Sequence, residues 1–127
     1  MSGTIRLKSN VILQIEKEAK IQAAPKGINA FDSPGDGLWD KYQDFGHSYF
    51  RNALIRGDSV ENVIIRGEGI ISGAASLYSN PEIGDGDKAI SLKSCKDVAI
   101  NDITINDSGY LAILSAGCGN VLSLIHI

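Results

Sequence analysis

The feature that most constrains this chain is a phrase that recurs at a spacing of 23 residues. Residues 89–98 read AISLKSCKDV and residues 112–121 read AILSAGCGNV, so the alanine, isoleucine, cysteine and valine of the first each recur 23 positions later. Looser versions of the phrase begin at Thr4 (TIRLKSNV) and Ala53 (ALIRGDSVENV). A fixed period of this size is typical of stacked repeats. The sequence therefore predicts three full copies and the start of a fourth.

Each copy contains three short segments with the two-residue alternation of a β-strand. In the third copy these are AISLK, DVAIN and DITIN, rich in β-branched residues and separated by Asn, Asp, Gly and Ser. Stacked copies would bury their apolar residues in continuous columns. We therefore predict an all-β fold, a parallel β-helix with three strands per coil, rather than a leucine-rich repeat, whose helix the Gly-rich and Asn-rich remainder disfavours. The predicted columns are Ile5, Leu54, Ile90 and Ile113, and Val11, Val63, Val98 and Val121.

Long insertions fall repeatedly at one corner of the predicted coil. They cover residues 25–52, 74–88 and 106–111, and they contain all eight aromatic residues of the chain. Insertions at one corner of a solenoid build one wall of a surface, which is often the binding face. Packing against the solenoid is one interpretation of these rings, and stacking against a sugar chain is the other. The residues predicted to face a sugar are Trp39, Tyr42, His47 and Tyr110.

The composition of the chain argues against two kinds of binding partner. The net charge of −3 and a pI near 5.2 give no general attraction to nucleic acid or to anionic lipid. No run of 18 apolar residues is present, and Met1 is not followed by a charged start and an apolar stretch. We expect no nucleic-acid partner, no membrane span and no signal peptide in this chain.

The two cysteines occupy the same place in successive copies. Adjacent strands lie about 4.8 Å apart, which places Cys95 and Cys118 within the range of a disulfide. Side chains in a ladder point in parallel, however, and this favours two free thiols. The disulfide stays open as the alternative, and the redox compartment is undecided.

Catalytic and metal-binding motifs are missing from the sequence, so we predict no metal and no cofactor. His47 stands alone in an aromatic segment, where a packing role is more common than a catalytic one. Asp85 and Asp87 in GDGDK suggest calcium, but no further carboxylates follow at a loop spacing, which favours a turn. Four aspartates recur every four residues: Asp32, Asp36, Asp40 and Asp44. The first two lie in a turn rich in Pro and Gly and are interpreted mainly as a solvated edge.

Three stretches of the sequence resemble bacterial members of glycoside hydrolase family 28, the polygalacturonase-like enzymes. They are SGTIRLKSNVILQIEKEAKI, GLWDKYQDFGHSYFRNALIRG and GDKAISLKSCKDVAINDITI, and the resemblance runs over nearly all of residues 2–121. It implies a right-handed parallel β-helix that hydrolyses α-linked galacturonate or a related pectic polymer, with inversion by carboxylates on consecutive coils. It also implies that the parent enzyme is a secreted or periplasmic monomer.

The catalytic signatures of that family do not occur here. Asn-Thr-Asp, Asp-Asp, Gly-His-Gly and Arg-Ile-Lys are all missing from the sequence, and in the family they follow the region where this chain stops. We therefore assign no catalytic residue and interpret residues 1–121 as a partial β-helix domain of a larger enzyme, inactive in isolation. LSLIHI, at residues 122–127, is interpreted as a non-native tail, with a genuine apolar strand as the alternative.

Two other functions stay open at this point. One is a non-catalytic β-helix that binds carbohydrate or acts as an adhesin. The other is a pectate lyase, which would need a cluster of calcium-binding carboxylates and an arginine base that the sequence does not display. Paired aspartates on the next coils would select the hydrolase.

Overall fold

The computed structural model of the chain describes residues 1–25, 31–32, 51–74, 77 and 87–126. The described residues contain ten β-strands: β1 (Ile5–Arg6), β2 (Val11–Gln14), β3 (Lys20–Gln22), β4 (Ala53–Asp58), β5 (Glu61–Arg66), β6 (Ile70–Ser72), β7 (Lys88–Lys93), β8 (Lys96–Asn106), β9 (Leu111–Ala116) and β10 (Gly119–His126). No helix long and apolar enough to cross a membrane is found among the described residues.

The described strands form two sheets, and every pair in them is parallel. The smaller sheet has the order β1-β4-β7-β9. The larger has the order β2-β5-β8-β6-β3, and β10 also pairs with β8. Buried apolar residues of both sheets pack into one cluster, which includes Ile55, Ile90, Val63 and Ile100. All-β structure with parallel pairing is therefore as predicted.

The predicted right-handed parallel β-helix with three strands per coil is wrong. That arrangement requires three sheets, whereas the described strands form two parallel sheets, one of them a curled half-barrel. The finding that decides this is β8, which runs unbroken through both the second and the third predicted strand of its copy. Its residues 96–101 pair with β5 and its residues 104–106 pair with β6.

The length of the connection explains why the expected corner is missing from β8. The first two copies spend residues 15–19 and 67–69 between these strands, whereas the third has Asp102 and Ile103 alone. Two residues are too few to leave the sheet and return. Asp102 instead takes a φ of 67° and bends the strand, while Ile103 is fully buried. Asn101 and Asp102 are residue types that the sequence predicted at corners, and here they give a bend within one strand.

The predicted valine column is confirmed in its register, although Val11 at one end is 38% exposed, and the isoleucine column is wrong at one position. Four valines lie in register across β2, β5, β8 and β10: Val11, Val63, Val98 and Val121. In the smaller sheet, Ile55 rather than Leu54 lies between Ile5 and Ile90. Leu54 and Ile55 are both apolar, so alternation alone does not fix which of them faces the core. The next residue, Arg56, decides it, because its charged side chain turns to the opposite face.

Polar residues in left-handed backbone conformation begin each strand of the valine column. Asn10, Asn62, Asp97 and Asn120 have φ values of 61°, 57°, 55° and 55°. Asn and Asp tolerate this conformation better than most residues. Their side chains also link successive copies, because Asn62 donates to Asn10 at 2.9 Å and Asn120 donates to Asp97 at 2.6 Å. This ladder explains the Asn and Asp that recur before each valine.

Candidate functional site

Two arginines lie side by side on the outer face of the smaller sheet. Arg6 on β1 and Arg56 on β4 are partners in the parallel register. Successive residues of a strand point to opposite faces, so both guanidinium groups project away from the core-facing Ile5 and Ile55. Arg51, which precedes β4, lies beside the same face. The repeat itself therefore places like charges next to one another.

Asp32 bridges these two arginines. Arg6 donates through Nη2 to Oδ1 at 2.5 Å and through Nε to Oδ2 at 3.1 Å, in the fork geometry that matches a carboxylate. Arg56 donates through Nη1 to Oδ2 at 2.7 Å. The backbone N–H of Asp32 donates to Thr4 Oγ1 at 2.9 Å. One carboxylate thus holds two neighbouring strands together.

The electrostatics of this cluster follow from those contacts. The hydrogen bond from Arg6, and also that from Arg56, holds the pKa of the Asp32 carboxyl below its ordinary value, while partial burial opposes the shift. The hydrogen bond to Asp32 raises the pKa of Arg6. Arg56 also lies 3.5 Å from the Asp58 carboxylate. Asp32 therefore stays ionised to a lower pH than an aspartate without these contacts.

A polar depression opens at this cluster. It has a volume of about 200 Å³, and its described lining residues are Arg6, Asp32, Arg51 and Arg56. A second depression of about 120 Å³ shares Arg6 and Arg56 and extends to Lys8 and Asp58. The Arg6 side chain is 66% exposed, whereas Arg56 and Asp32 are 16% and 17% exposed. Arg6 is therefore the solvent-facing member of a partly buried charged group.

A second polar network lies where β4, β7 and β9 begin. Lys88 Nζ donates to Asn52 Oδ1 at 3.1 Å, and Asn52 Nδ2 donates to Asp87 Oδ1 at 3.0 Å. The Tyr110 backbone N–H donates to the Asp87 carbonyl at 2.7 Å. Lys88 is fully buried and Asn52 is 2% exposed. These bonds fix the entry into three neighbouring strands of the smaller sheet.

Of the four residues predicted to face a sugar, Tyr110 alone lies among the described residues. Trp39, Tyr42 and His47 lie outside the described residues, so their role stays a prediction. Tyr110 is half-buried at the end of the turn before β9, next to the network of Asp87. Phe31 packs partly buried against the core, in agreement with the packing interpretation for that ring.

The predicted acidic positions have different outcomes. Asp87 accepts a hydrogen bond from Asn52, whereas Asp85 lies outside the described residues. Asp36, Asp40 and Asp44 also lie outside them. The interpretation of Asp32 as part of a solvated edge is wrong, because two arginines bind its carboxylate and its side chain is only 17% exposed. No group of three metal-binding side chains occurs among the described residues.

The arginine cluster was not predicted from the sequence. A signal was present, because TIRLK and ALIRG both place an arginine after the core isoleucine of the first strand. Aligning the two copies on Ile5 and Ile55 would have put Arg6 beside Arg56. Asp32 had no such signal, since its approach depends on how the first insertion returns to the sheet.

The cysteines are free thiols stacked in adjacent copies. The backbone N–H of Cys95 donates to Cys118 Sγ at 3.3 Å, and Cys95 Sγ donates to the Lys93 carbonyl at 3.4 Å. Burial raises the pKa of the Cys95 thiol. This arrangement agrees with the favoured ladder of thiols.

Comparison with solved structures finds a similar protein from Parabacteroides merdae ATCC 43184, whose crystal structure at 1.95 Å resolution is described as that of a "putative glycosyl hydrolase". The two share 28% sequence identity with a TM-score of 0.74. The similarity covers 97% of this chain and 53% of that protein, so this chain spans about half its length. No family model matches the sequence. No curated protein matches it either. The similarity relates the chain to a glycosyl hydrolase in broad terms and identifies neither a family nor a substrate.

Proposed function

We propose that the chain is part of a glycoside hydrolase of the polygalacturonase-like family 28 and that the whole enzyme hydrolyses α-linked galacturonate in pectic polysaccharide. The observation that carries the proposal is the similarity to the Parabacteroides merdae protein over 97% of the chain. The three sequence stretches that resemble family 28 supply the narrower assignment. The proposal includes a monomeric parent enzyme that is secreted or periplasmic.

The arginine cluster supports an acidic substrate. Polygalacturonate carries a carboxylate on each sugar, and a guanidinium group binds a carboxylate through two parallel hydrogen bonds. Arg6, Arg51 and Arg56 line one depression on a chain whose net charge is −3. The negative net charge of the chain would repel an acidic polymer. Binding such a polymer therefore requires a local group of positive charges, and the arginine cluster supplies one.

We expect the catalytic carboxylates of the whole enzyme to lie outside these 127 residues. Inverting hydrolysis needs a general acid and a water-activating carboxylate on opposite sides of the glycosidic bond, about 6.5–9.5 Å apart. We assign no catalytic residue among the 127 residues, and the chain contributes scaffold and one wall of the sugar-binding surface.

The test is release of reducing ends from polygalacturonate, measured for this chain and for the chain extended through the downstream reading frame of its gene. We expect no release by the 127-residue chain and release by the extended one. A neutral galactan of matched length serves as the control substrate. Release from galactan but not from polygalacturonate by the extended chain would overturn the pectic assignment.

A further inference from the structure

We propose that Arg6 and Arg56 form a subsite for the carboxylate of a uronic acid in a sugar chain, and that Asp32 fills this subsite when no sugar is bound. The inference rests on the proposed action on acidic polysaccharide and adds a specific pair of residues and an internal competitor. It assigns the arginine cluster a binding role in place of a purely structural one.

The geometry of Asp32 is that of a bound carboxylate. Its two oxygens accept the Nε and Nη2 hydrogens of Arg6 and the Nη1 hydrogen of Arg56. A uronate carboxylate has the same planar shape and charge, and could accept the same three bonds. The protein thereby displays the contacts that a ligand of this class would make.

The position of the cluster allows exchange with a ligand from solvent. The Arg6 side chain is two-thirds exposed, and the depression of about 200 Å³ opens beside it. A sugar could therefore approach Arg6 without passing through the core.

Asp32 is held by contacts that a ligand could replace without leaving a buried charge unpaired. Its carboxylate is bound by Arg6 and Arg56, and its backbone N–H by the Thr4 hydroxyl. When a uronate takes the arginines, the displaced carboxylate can be hydrated because it is already partly exposed. Exchange of one carboxylate for another involves little net loss of charge pairing. An internal competitor of this kind weakens ligand binding by the fraction of time that it occupies the site.

The test is a calorimetric titration of the 127-residue chain with trigalacturonate and, separately, with a neutral galactose trisaccharide. We expect Asp32→Asn to bind trigalacturonate about tenfold more tightly than the unaltered chain, because the competing charge is removed. Arg6→Gln should weaken binding about tenfold through loss of the bidentate contact. The neutral trisaccharide should bind none of these proteins measurably.

Two matched controls separate a specific site from general electrostatics. Asp97→Asn removes one negative charge elsewhere, at a ladder position where the other copies carry Asn. Arg66→Gln removes an exposed arginine of the larger sheet that bonds Gln14. Both should change the affinity for trigalacturonate less than about twofold, because both residues lie on the larger sheet and the cluster lies on the outer face of the smaller one.

The outcome that overturns the inference is an Asp32→Asn protein that binds trigalacturonate no more tightly than the unaltered chain, or a gain that Asp97→Asn reproduces. Equal binding of the neutral trisaccharide, or no binding by any variant, overturns it as well. Should Asp32→Asn not fold, Thr4→Val provides the second test, because it releases the Asp32 backbone while keeping both arginines; a gain in affinity is again expected.

The inference and the proposed function fail separately. If the extended chain does not hydrolyse polygalacturonate but Asp32→Asn still tightens trigalacturonate binding, the subsite stands and the hydrolase assignment falls. If hydrolysis occurs and the substitution has no effect on binding, the reverse holds.

Discussion

The two sheets bury their strands in different ways. In the larger sheet, β5 and β8 alternate between buried and exposed residues, so that one face meets the core and the other meets solvent. In the smaller sheet, β4 and β7 are buried on both faces, and Leu54, Ile55, Ala89 and Ile90 are all 0% exposed.

This difference indicates which face of the sheets the insertions cover. A parallel sheet buried on both faces needs something to cover the second face. The first insertion supplies Asp32, which bonds Arg6 and Arg56 at the outer face of the smaller sheet. The outer face of the smaller sheet is therefore where the proposed uronate subsite lies.

The largest expected effect is a loss of stability that differs between the outer faces of the two sheets. Leu54→Ala should lower the free energy of unfolding by about 2–5 kcal/mol, because a fully buried side chain is replaced by a cavity. Ile64→Ala, on the outer face of the larger sheet, should cost clearly less, because Ile64 is already partly exposed. Urea unfolding followed by circular dichroism measures both. Equal costs would contradict the two-sided burial of the smaller sheet.

A second substitution tests the tight connection between β5 and β6. Gly67 has a φ of 117°, and a Cβ there would lie 2.1 Å from the Ile15 carbonyl oxygen. Gly67→Ala should therefore cost about 2–4 kcal/mol through overpacking and backbone strain. Gly119→Ala is the control, since no atom lies within 4 Å of its added Cβ. Thermal denaturation should place the control near the unaltered chain and Gly67→Ala well below it.

Asp32→Asn should destabilise the chain by about 1 kcal/mol at pH 7 through loss of the charge-assisted bonds to the arginines. The pKa of Asp32 is lowered in the folded state. Its stabilising contribution is therefore fully present above the unfolded pKa of about 3.9 and is lost as the pH falls through the folded pKa. Unfolding curves of both proteins between pH 7 and pH 2 should converge at the acid end. A difference that persists unchanged to pH 2 would show that the carboxylate charge is not responsible.

The smallest effect is expected in the ladder of the larger sheet. Asp97→Asn should change the free energy of unfolding by less than about 0.5 kcal/mol, because Asn occupies the equivalent left-handed position in three other strands. Asp97→Val should cost more, because a β-branched residue is strained at positive φ. Chemical denaturation of the pair checks this, and a large loss in Asp97→Asn would mean that the repeat positions are not equivalent.

The isoleucine column marks the limit of what alternation can decide. The 23-residue period determined that Val98 and Val121 would be in register, because equal spacing places identical residues at equal positions in the ladder. It could not decide between Leu54 and Ile55, since either satisfies an apolar position. Ile55 faces the core because the charged side chain of the next residue, Arg56, must point to the opposite face.

The sequence by itself determined the β-structure, the parallel pairing and the ladders of valine and cysteine, because these depend on local alternation and on a repeated period. The tertiary structure alone decided that β8 bends at Asp102 instead of turning, which gives two sheets, since the outcome depends on how few residues connect strands already paired with their neighbours. It also decided that Asp32 lies between Arg6 and Arg56. Residues 26 and 24 positions apart, with no shared periodicity, meet when an insertion folds back on the sheet, and no local pattern records that return.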